Sequence, residues 1–172
     1  MSASRPTRPR RPAKPPLPAA LPAIELMDST HRDTQQVLLE MVQLADLLAQ
    51  PAPGQAAVAL AAHVCSFFNG PVREHHESEE TQVFPQLLAR GDAHLRDHIR
   101  HLQQDHMWLE EDWLELEPHL QAVANGYNTE HRQFLSTALP EFVELCHAHM
   151  ALEESLVHPE ALSARVTPDP AG

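Results

Sequence analysis

The sequence predicts an all-α protein. It reads as an up-and-down antiparallel four-helix bundle over residues 23–160, with a disordered Pro/Arg-rich tail at 1–22 and a loose tail at 161–172. Three observations carry this reading. Apolar residues recur every three or four positions along four long stretches, the spacing that gathers them on one helix face. Short breakers rich in Gly and Pro separate the stretches, and short connections make successive helices antiparallel neighbours. No alternating strand pattern of any length occurs.

Residues 1–22 hold seven prolines together with Arg5, Arg8, Arg10, Arg11 and Lys14, and cannot build a core. The first helical stripe is Ile24, Met27, His31, Leu38, Val42, Ala45 and Leu48, and Pro51-Ala-Pro-Gly54 ends it. The second runs from about Gln55 to Leu88 through Val58, Ala61, Cys65, Phe68, Val72, His75, Glu79 and Val83. Asn69-Gly70-Pro71 should bend it, and Pro85 should loosen its last turn. After Arg90-Gly91, Asp92 is placed to cap a third helix carrying Leu95, Ile99, Leu102, His106, Leu109, Trp113 and Leu116. Pro118 should kink or end this helix, and Asn125-Gly126 reads as a turn. The fourth helix starts near Asn128 or Thr129 and carries Leu135, Leu139, Phe142, Leu145, His149, Glu153 and Leu156, with a distortion expected at Pro140.

The bulk composition excludes several classes of function. The chain has 24 acidic and 12 basic residues, and the first acid is Glu25, so the helical part should repel nucleic acid. The two cysteines, Cys65 and Cys146, make no C-x-x-C pair and no disulfide framework, which suits a reducing, cytoplasmic setting. No apolar run approaches the ~18 residues that span a membrane, and prolines interrupt the basic N-terminus, so neither a membrane partner nor a secretory signal is expected. Thirteen histidines is a high count for this length, and that bias is the informative one.

Each stripe is apolar except at His31, His75, His106, His149, Glu79 and Glu153. A buried carboxylate is very costly unless it is paired or holds a metal. In an antiparallel hairpin, residues equidistant from the turn lie at one height. The midpoint of His31 and His75 is residue 53, that of His75 and His106 falls between Arg90 and Gly91, and that of His106 and His149 falls just after Asn125-Gly126. All three midpoints land in breakers, so the four histidines should share a level on four different helices. Glu79 and Glu153 follow His75 and His149 by four residues, one turn along the same face. The halves repeat: His75-x-x-x-Glu79-Glu-x-x-Val-x-Pro85 recurs 74 residues later as His149-x-x-x-Glu153-Glu-x-x-Val-x-Pro159. Imidazole with carboxylate and no thiolate suits iron, manganese or zinc.

These pieces resemble the hemerythrin-like, or HHE cation-binding, family from about Ile24 to Pro159. The resemblance rests on His75-His-x-x-Glu79-Glu-x-x-Val-Phe-Pro85, on His31 after Met-Asp-Ser-Thr, on His106 in Leu-Gln-Gln-Asp-His, and on His149-x-x-x-Glu153. It implies a four-helix bundle holding two non-haem iron ions joined by carboxylate and oxo bridges. His31 and His75 would then hold one iron, His106 and His149 the other, and Glu79 and Glu153 would bridge. The oxygen-carrying hemerythrins have a fifth histidine one turn before the one on the third helix. Here that position is Leu102, and Glu110, four residues after His106, is a candidate substitute beside the plainer reading of a solvated surface acid. His76, Glu80 and Glu154, next to these six residues, read as rim residues that orient ligands. A ferritin-like site needs two Glu-x-x-His motifs, and this chain has only Glu144-x-x-His147.

The expected function is therefore a metal-binding protein that binds or senses a small oxidant such as oxygen, nitric oxide or peroxide. No catalytic nucleophile or acid/base pair is visible outside the six residues. The alternatives are turnover of the catalase, peroxidase or nitric oxide reductase type, and storage or delivery of iron, including repair of iron centres. No protein partner is legible.

Overall fold

The computed structural model describes the backbone of residues 21–126 and 129–163, and the side chains of 29–126, 130–157 and 159. The tails expected at 1–22 and 161–172 lie outside the described residues, except for the helical backbone of 21–22 and 161–163. The stripe positions Ile24 and Met27 lie outside the described side chains.

The described chain is helical, with no strand among the described residues. α1 spans Leu21–Ala49, α2 Gly54–Phe67, α3 Arg73–Ser78, α4 Phe84–Arg90, α5 Ala93–Ala124 and α6 Thr129–Ser163. α2, α3 and α4 form one continuous rod, because the segments between them, Phe68–Val72 and Glu79–Val83, are π-helical turns. α1 packs against α2 and α6, and α5 packs against α2 and α6, so each rod has two neighbours, as a helical bundle requires.

The two π-turns fall where the prolines expected to disturb the second helix stand. Pro71 lies inside the first, and Pro85 opens α4 just after the second. A proline ring clashes with the carbonyl four residues before it and lacks an N–H, and a wider turn relieves both. Pro118 behaves differently: α5 runs through it to Ala124, and α6 runs through Pro140 and Pro159. Leu120 and Val123, beyond Pro118, are buried, and that packing outweighs one missing hydrogen bond.

The apolar core divides into two clusters. The larger joins Leu38, Met41, Val64, Phe68, Val72, Leu109, Trp113, Leu139, Phe142 and Met150 with their neighbours. The smaller holds Val83, Phe84, Leu87, Leu95, Ile99, Leu102 and Val157. The chain crosses between them on the second rod from Val72 to Val83, returns on α5 from Leu102 to Leu109, and crosses again on α6 from Met150 to Val157. His75, Glu79, His106 and Glu153 lie in these crossings, His149 stands at the edge of the last, and α1 adds Thr30, His31 and Thr34.

Two stripe positions differ from expectation. Val42 and Leu145 are exposed, and the core takes Val37, Met41 and Leu44 from α1 and Val143, Cys146 and Met150 from α6. An α-helix drifts relative to any fixed 3–4 spacing, so a chain of i+4 steps leaves the buried face after several turns. Trp108 is likewise exposed, whereas Trp113 is buried, stacks on Phe68 with ring centroids 4.7 Å apart, and donates to Asn69 Oδ1 at 2.9 Å.

The termini are closed by side chains. The Leu95 N–H donates to Asp92 Oδ1 at 2.9 Å, the expected cap of α5. Gly126 turns the chain toward α6 with φ +87°, a conformation that only glycine adopts without strain. At the end of α1, the Arg132 guanidinium from α6 donates to Leu48 O at 2.9 and 3.0 Å, to Pro51 O at 3.3 Å, and to Gln50 O. One cation thus serves several of the orphan carbonyls of that helix end. Arg132→Ala is expected to lower stability by roughly 1.5–3 kcal/mol, the scale of hydrogen bonds to a charged group, read as a lower urea midpoint. An unchanged midpoint would mean that water serves those carbonyls equally well.

Candidate metal centre

The polar layer between the two apolar clusters is built from all three rods and α1. α1 contributes His31, α3 His75 and His76, the following π-turn Glu79 and Glu80, α5 His106, and α6 His149 and Glu153. His31, His75, His106 and His149 are buried, and Glu79 and Glu153 have no exposure at all. The structure brings all six residues singled out from the sequence into one cluster.

The second rod packs on both α1 and α5. Consecutive helical residues point about 100° apart, so His75 and His76 address different neighbours. His75 Nε2 lies 3.2 Å from His31 Nε2 of α1. His76 stacks on His106 of α5, with centroids 4.0 Å apart and planes 17° apart. Glu79 reaches both sides: its Oε2 is 3.5 Å from His75 Nε2 and 3.4 Å from His106 Nε2. Glu153 does the same from α6. Its Oε2 is 3.0 Å from His31 Nε2, and its Oε1 is 3.0 Å from His149 Nε2 and 3.6 Å from His106 Nε2.

Outer carboxylates stand near the Nδ1 atoms of three imidazoles and hydrogen-bond one of them. His106 Nδ1–H donates to Glu80 Oε1 at 3.0 Å, and Glu80 Oε2 accepts from Gln103 Nε2 at 2.6 Å. His31 Nδ1 lies 3.4 Å from Glu154 Oε1, and His149 Nδ1 lies 3.8 Å from Asp105 Oδ2. A carboxylate on Nδ1 turns the Nε2 lone pair toward the centre, the arrangement that makes imidazole a better ligand. Glu80 and Glu154 thus stand as the sequence suggested. Asp105 was missed: it precedes His106 on a different face, and only the packing of α6 brings His149 to it.

The geometry bears on two further expectations, and for Glu110 the plainer one holds. His76, read as a rim residue, is partly buried, and its ring nitrogens, with those of His106 and His149, offer three donor atoms within 4.8 Å of one another. Glu110 does not fill the place that Leu102 leaves. It is held in an exposed ion pair with Arg73, while Leu102 is fully buried in the smaller apolar cluster.

The charges in the layer oppose one another. Burial raises the Glu79 pKa to about 8, helped by the charge of Glu153. Burial also works against ionised Glu153, but the imidazoles of His106, His149 and His31 close to its oxygens overcome it and hold that carboxyl well below its usual range. Burial disfavours the His106 cation, yet Glu153 and Glu79 raise its pKa to about 10. Burial keeps His75 neutral, with its pKa lowered to about 4, and acts first on His76 too, before the repulsion of His106 and His149. Protons alone therefore leave one carboxyl neutral and one ionised.

The donor set fits a metal. Both oxygens of Glu79 and of Glu153, Nε2 of His106 and both ring nitrogens of His149 are buried without a well-directed hydrogen bond, although complementary atoms lie 3.0–3.6 Å away. A bound cation would satisfy such unpartnered buried donors. Donors gather in two groups: His31, His75, Glu79 and Glu153, and His76, His106 and His149.

A helical bundle with a buried cluster of imidazoles and carboxylates defines a metal-binding protein. The family model for the hemerythrin HHE cation binding domain matches residues 23–161, and the chain belongs to that family. An uncharacterised protein of Haemophilus influenzae is 30% identical over 146 residues, which cover 83% of this chain and 82% of that relative. No solved structure matches. No helix among the described residues is long and apolar enough to cross a membrane.

Two buried carboxylates in one layer make stability depend on a cation. Stripping metal with a chelator is expected to lower the melting temperature by roughly 5–10 °C, the effect of losing a ligand held well above its dissociation constant. Calorimetry before and after restoring ferrous iron checks this, and identical melts would show that proton sharing alone satisfies the layer.

Proposed function

We propose that this chain holds a pair of non-haem iron ions within an up-and-down antiparallel bundle and binds or senses a small oxidant there. The alternating crossings between the two apolar clusters support the topology. His31 and His75 would hold one iron, His106 and His149 the other, with Glu79 and Glu153 bridging. The observation that carries the reading is the reach of each carboxylate: Glu79 stands between His75 and His106, and Glu153 between His31 and the His106–His149 pair. A carboxylate lying between two cations offsets their mutual repulsion. Iron fits imidazole and carboxylate without thiolate, with manganese and zinc as alternatives. When bound in its reduced form, such a pair supplies electrons to an oxidant.

The protein's own contribution is a dry approach to the layer. A cavity of ≈ 30 Å³ adjoins it, walled by Phe68, Val72, Leu109, Trp113, Phe142, Cys146 and Met150. That volume accepts one or two water-sized molecules. The apolar walls favour a neutral diatomic such as oxygen or nitric oxide over peroxide. Arg73 and Glu110, half-exposed and paired, line its solvent end. Burial raises the Cys146 thiol pKa well above its usual value, so the wall stays uncharged. Cys65 and Cys146 are free and buried, in keeping with a reducing compartment such as the cytoplasm.

Metal analysis and absorption spectra of the full chain test the reading. About two irons per chain, with the near-ultraviolet bands of a bridged pair, are expected. One zinc and a colourless protein would overturn it. Mixing the reduced protein with oxygen or nitric oxide in a stopped-flow instrument should give a saturating, stoichiometric spectral change. Sustained consumption of oxidant would point instead to an enzyme, and prompt loss of iron to an apo-acceptor to a delivery protein. Val72→Phe, which narrows the cavity, is expected to slow the spectral change severalfold with metal content unchanged; an unaltered rate would place the approach elsewhere.

A further inference from the structure

We propose that Asn69 is a positioning residue for the polar layer: it pins the first π-turn of the second rod to α5, and through that turn it sets the direction in which His75 and Glu79 face. The inference rests on the two-metal reading above and deepens it with a pair of residues, Asn69 and Glu117, outside the six ligands named there.

The second rod keeps one buried stripe through both of its wide turns. From Phe68 the stripe advances to Val72, His75, Glu79, Val83 and Leu87, all buried. An α-helix rotates by about 100° per residue, so each step of four overshoots the face by about 40°. All but one of these steps are steps of four, and a regular helix would carry the stripe about 100° off its face by Leu87. A turn closed by i→i+5 bonds rotates less per residue and takes back the excess. Phe68–Val72 and Glu79–Val83 are such turns. The first stands just before His75. It therefore fixes the rotation at which α3 presents His75 and, one turn later, Glu79.

Pro71 accounts for the width of this turn, and Asn69 accounts for its attachment. Asn69 Oδ1 accepts from the Trp113 indole N–H at 2.9 Å, and Asn69 Nδ2 donates to Glu117 Oε1 at 2.6 Å. The same Glu117 oxygen accepts from Gln121 Nε2 at 3.0 Å. An indole can only donate and a carboxylate can only accept, so a side-chain amide, with an acceptor at one end and a donor at the other, serves both at once. The two partners lie one turn apart on α5, which fixes the amide along that helix as well as against it. Trp113 is buried, and a buried indole N–H needs a partner. Its ring stacks on Phe68, the first residue of the same turn, with planes 20° apart. Phe68, Val72 and Trp113 also wall the cavity beside the layer, so the clamp shapes the approach together with the ligands.

Asn69→Leu, Asn69→Asp, Glu117→Gln and the double variant Asn69→Asp with Glu117→Gln are compared with the native full chain. Asn69→Leu removes both bonds at similar volume. Asn69→Asp keeps the acceptor for Trp113 but sets two carboxylates against each other. Adding Glu117→Gln restores the pair with its direction reversed. Iron per chain is measured after dialysis against a graded chelator series, and hydrogen exchange at residues 68–72 is measured in the metal-free chain. Asn69→Leu and Asn69→Asp are expected to release iron at roughly tenfold lower chelator strength than the native protein and to exchange faster at 68–72. Glu117→Gln alone and the double variant should match the native chain in both. Arg132→Ala, which loosens the end of α1, should melt earlier yet retain iron, and this separates positioning from stability. If Asn69→Leu retains iron like the native chain, if Glu117→Gln fails to rescue Asn69→Asp, or if Arg132→Ala loses iron equally, the inference falls while the two-metal reading stands. If the native chain itself does not hold two irons, both fall. Should Asn69→Leu melt too low to load, Asn69→Asp with and without Glu117→Gln decides.

Discussion

Two carboxylates with no solvent exposure, Glu79 and Glu153, govern this structure. An ionised acid in an apolar interior costs several kcal/mol even after relaxation, and two acids a few ångströms apart add their repulsion. Such a pair persists only where positive charge is supplied. Here the surroundings supply it in layers: imidazoles against the carboxylate oxygens, and outer acids against the far nitrogens of those imidazoles. The bundle can be understood as the frame that holds this layer together.

The frame does so by dividing the hydrophobic core. A large cluster on one side and a small one on the other clamp the polar layer between them. The second rod, α5 and α6 each join both clusters across that layer, so each contributes few polar groups and many apolar ones, and the burial of the latter offsets the cost of the former. The second rod needs more. It must face α1 and α5 at the same level, and it does so with a short helical segment between two wider turns. Prolines that looked like defects in a long helix stand beside both of those turns. The cavity beside this layer is walled largely by residues of the large cluster, with the Arg73–Glu110 pair also in its lining.

Much of this was legible in the residues. The midpoints of the histidine pairs fell in the breakers, and the four rings do meet. The spacing of four between His75 and Glu79 and between His149 and Glu153 placed both acids beside their rings, because helix geometry makes i and i+4 neighbours. The stripes of α1 and α6 were read less well at Val42 and Leu145. Period-based reading fixes a face only to within its drift, and packing partners choose among residues near its edge. The stack of His76 on His106 was not foreseen for a related reason. One helix has one buried face only when it has one neighbour, and this rod has two.

By itself, the order of residues determined the helices, their breaks and the level at which the polar groups gather, since these follow from local periodicity and equal arm lengths about short turns. Only the tertiary structure decided which neighbour each side chain faces. That choice sets His75 against His31 and His76 against His106, gives Asp105 to His149, and turns Glu110 outward to Arg73. The reason is physical: facing depends on the packing angle and rotation of whole helices, which arise from the summed contacts of many side chains and not from the spacing of any two.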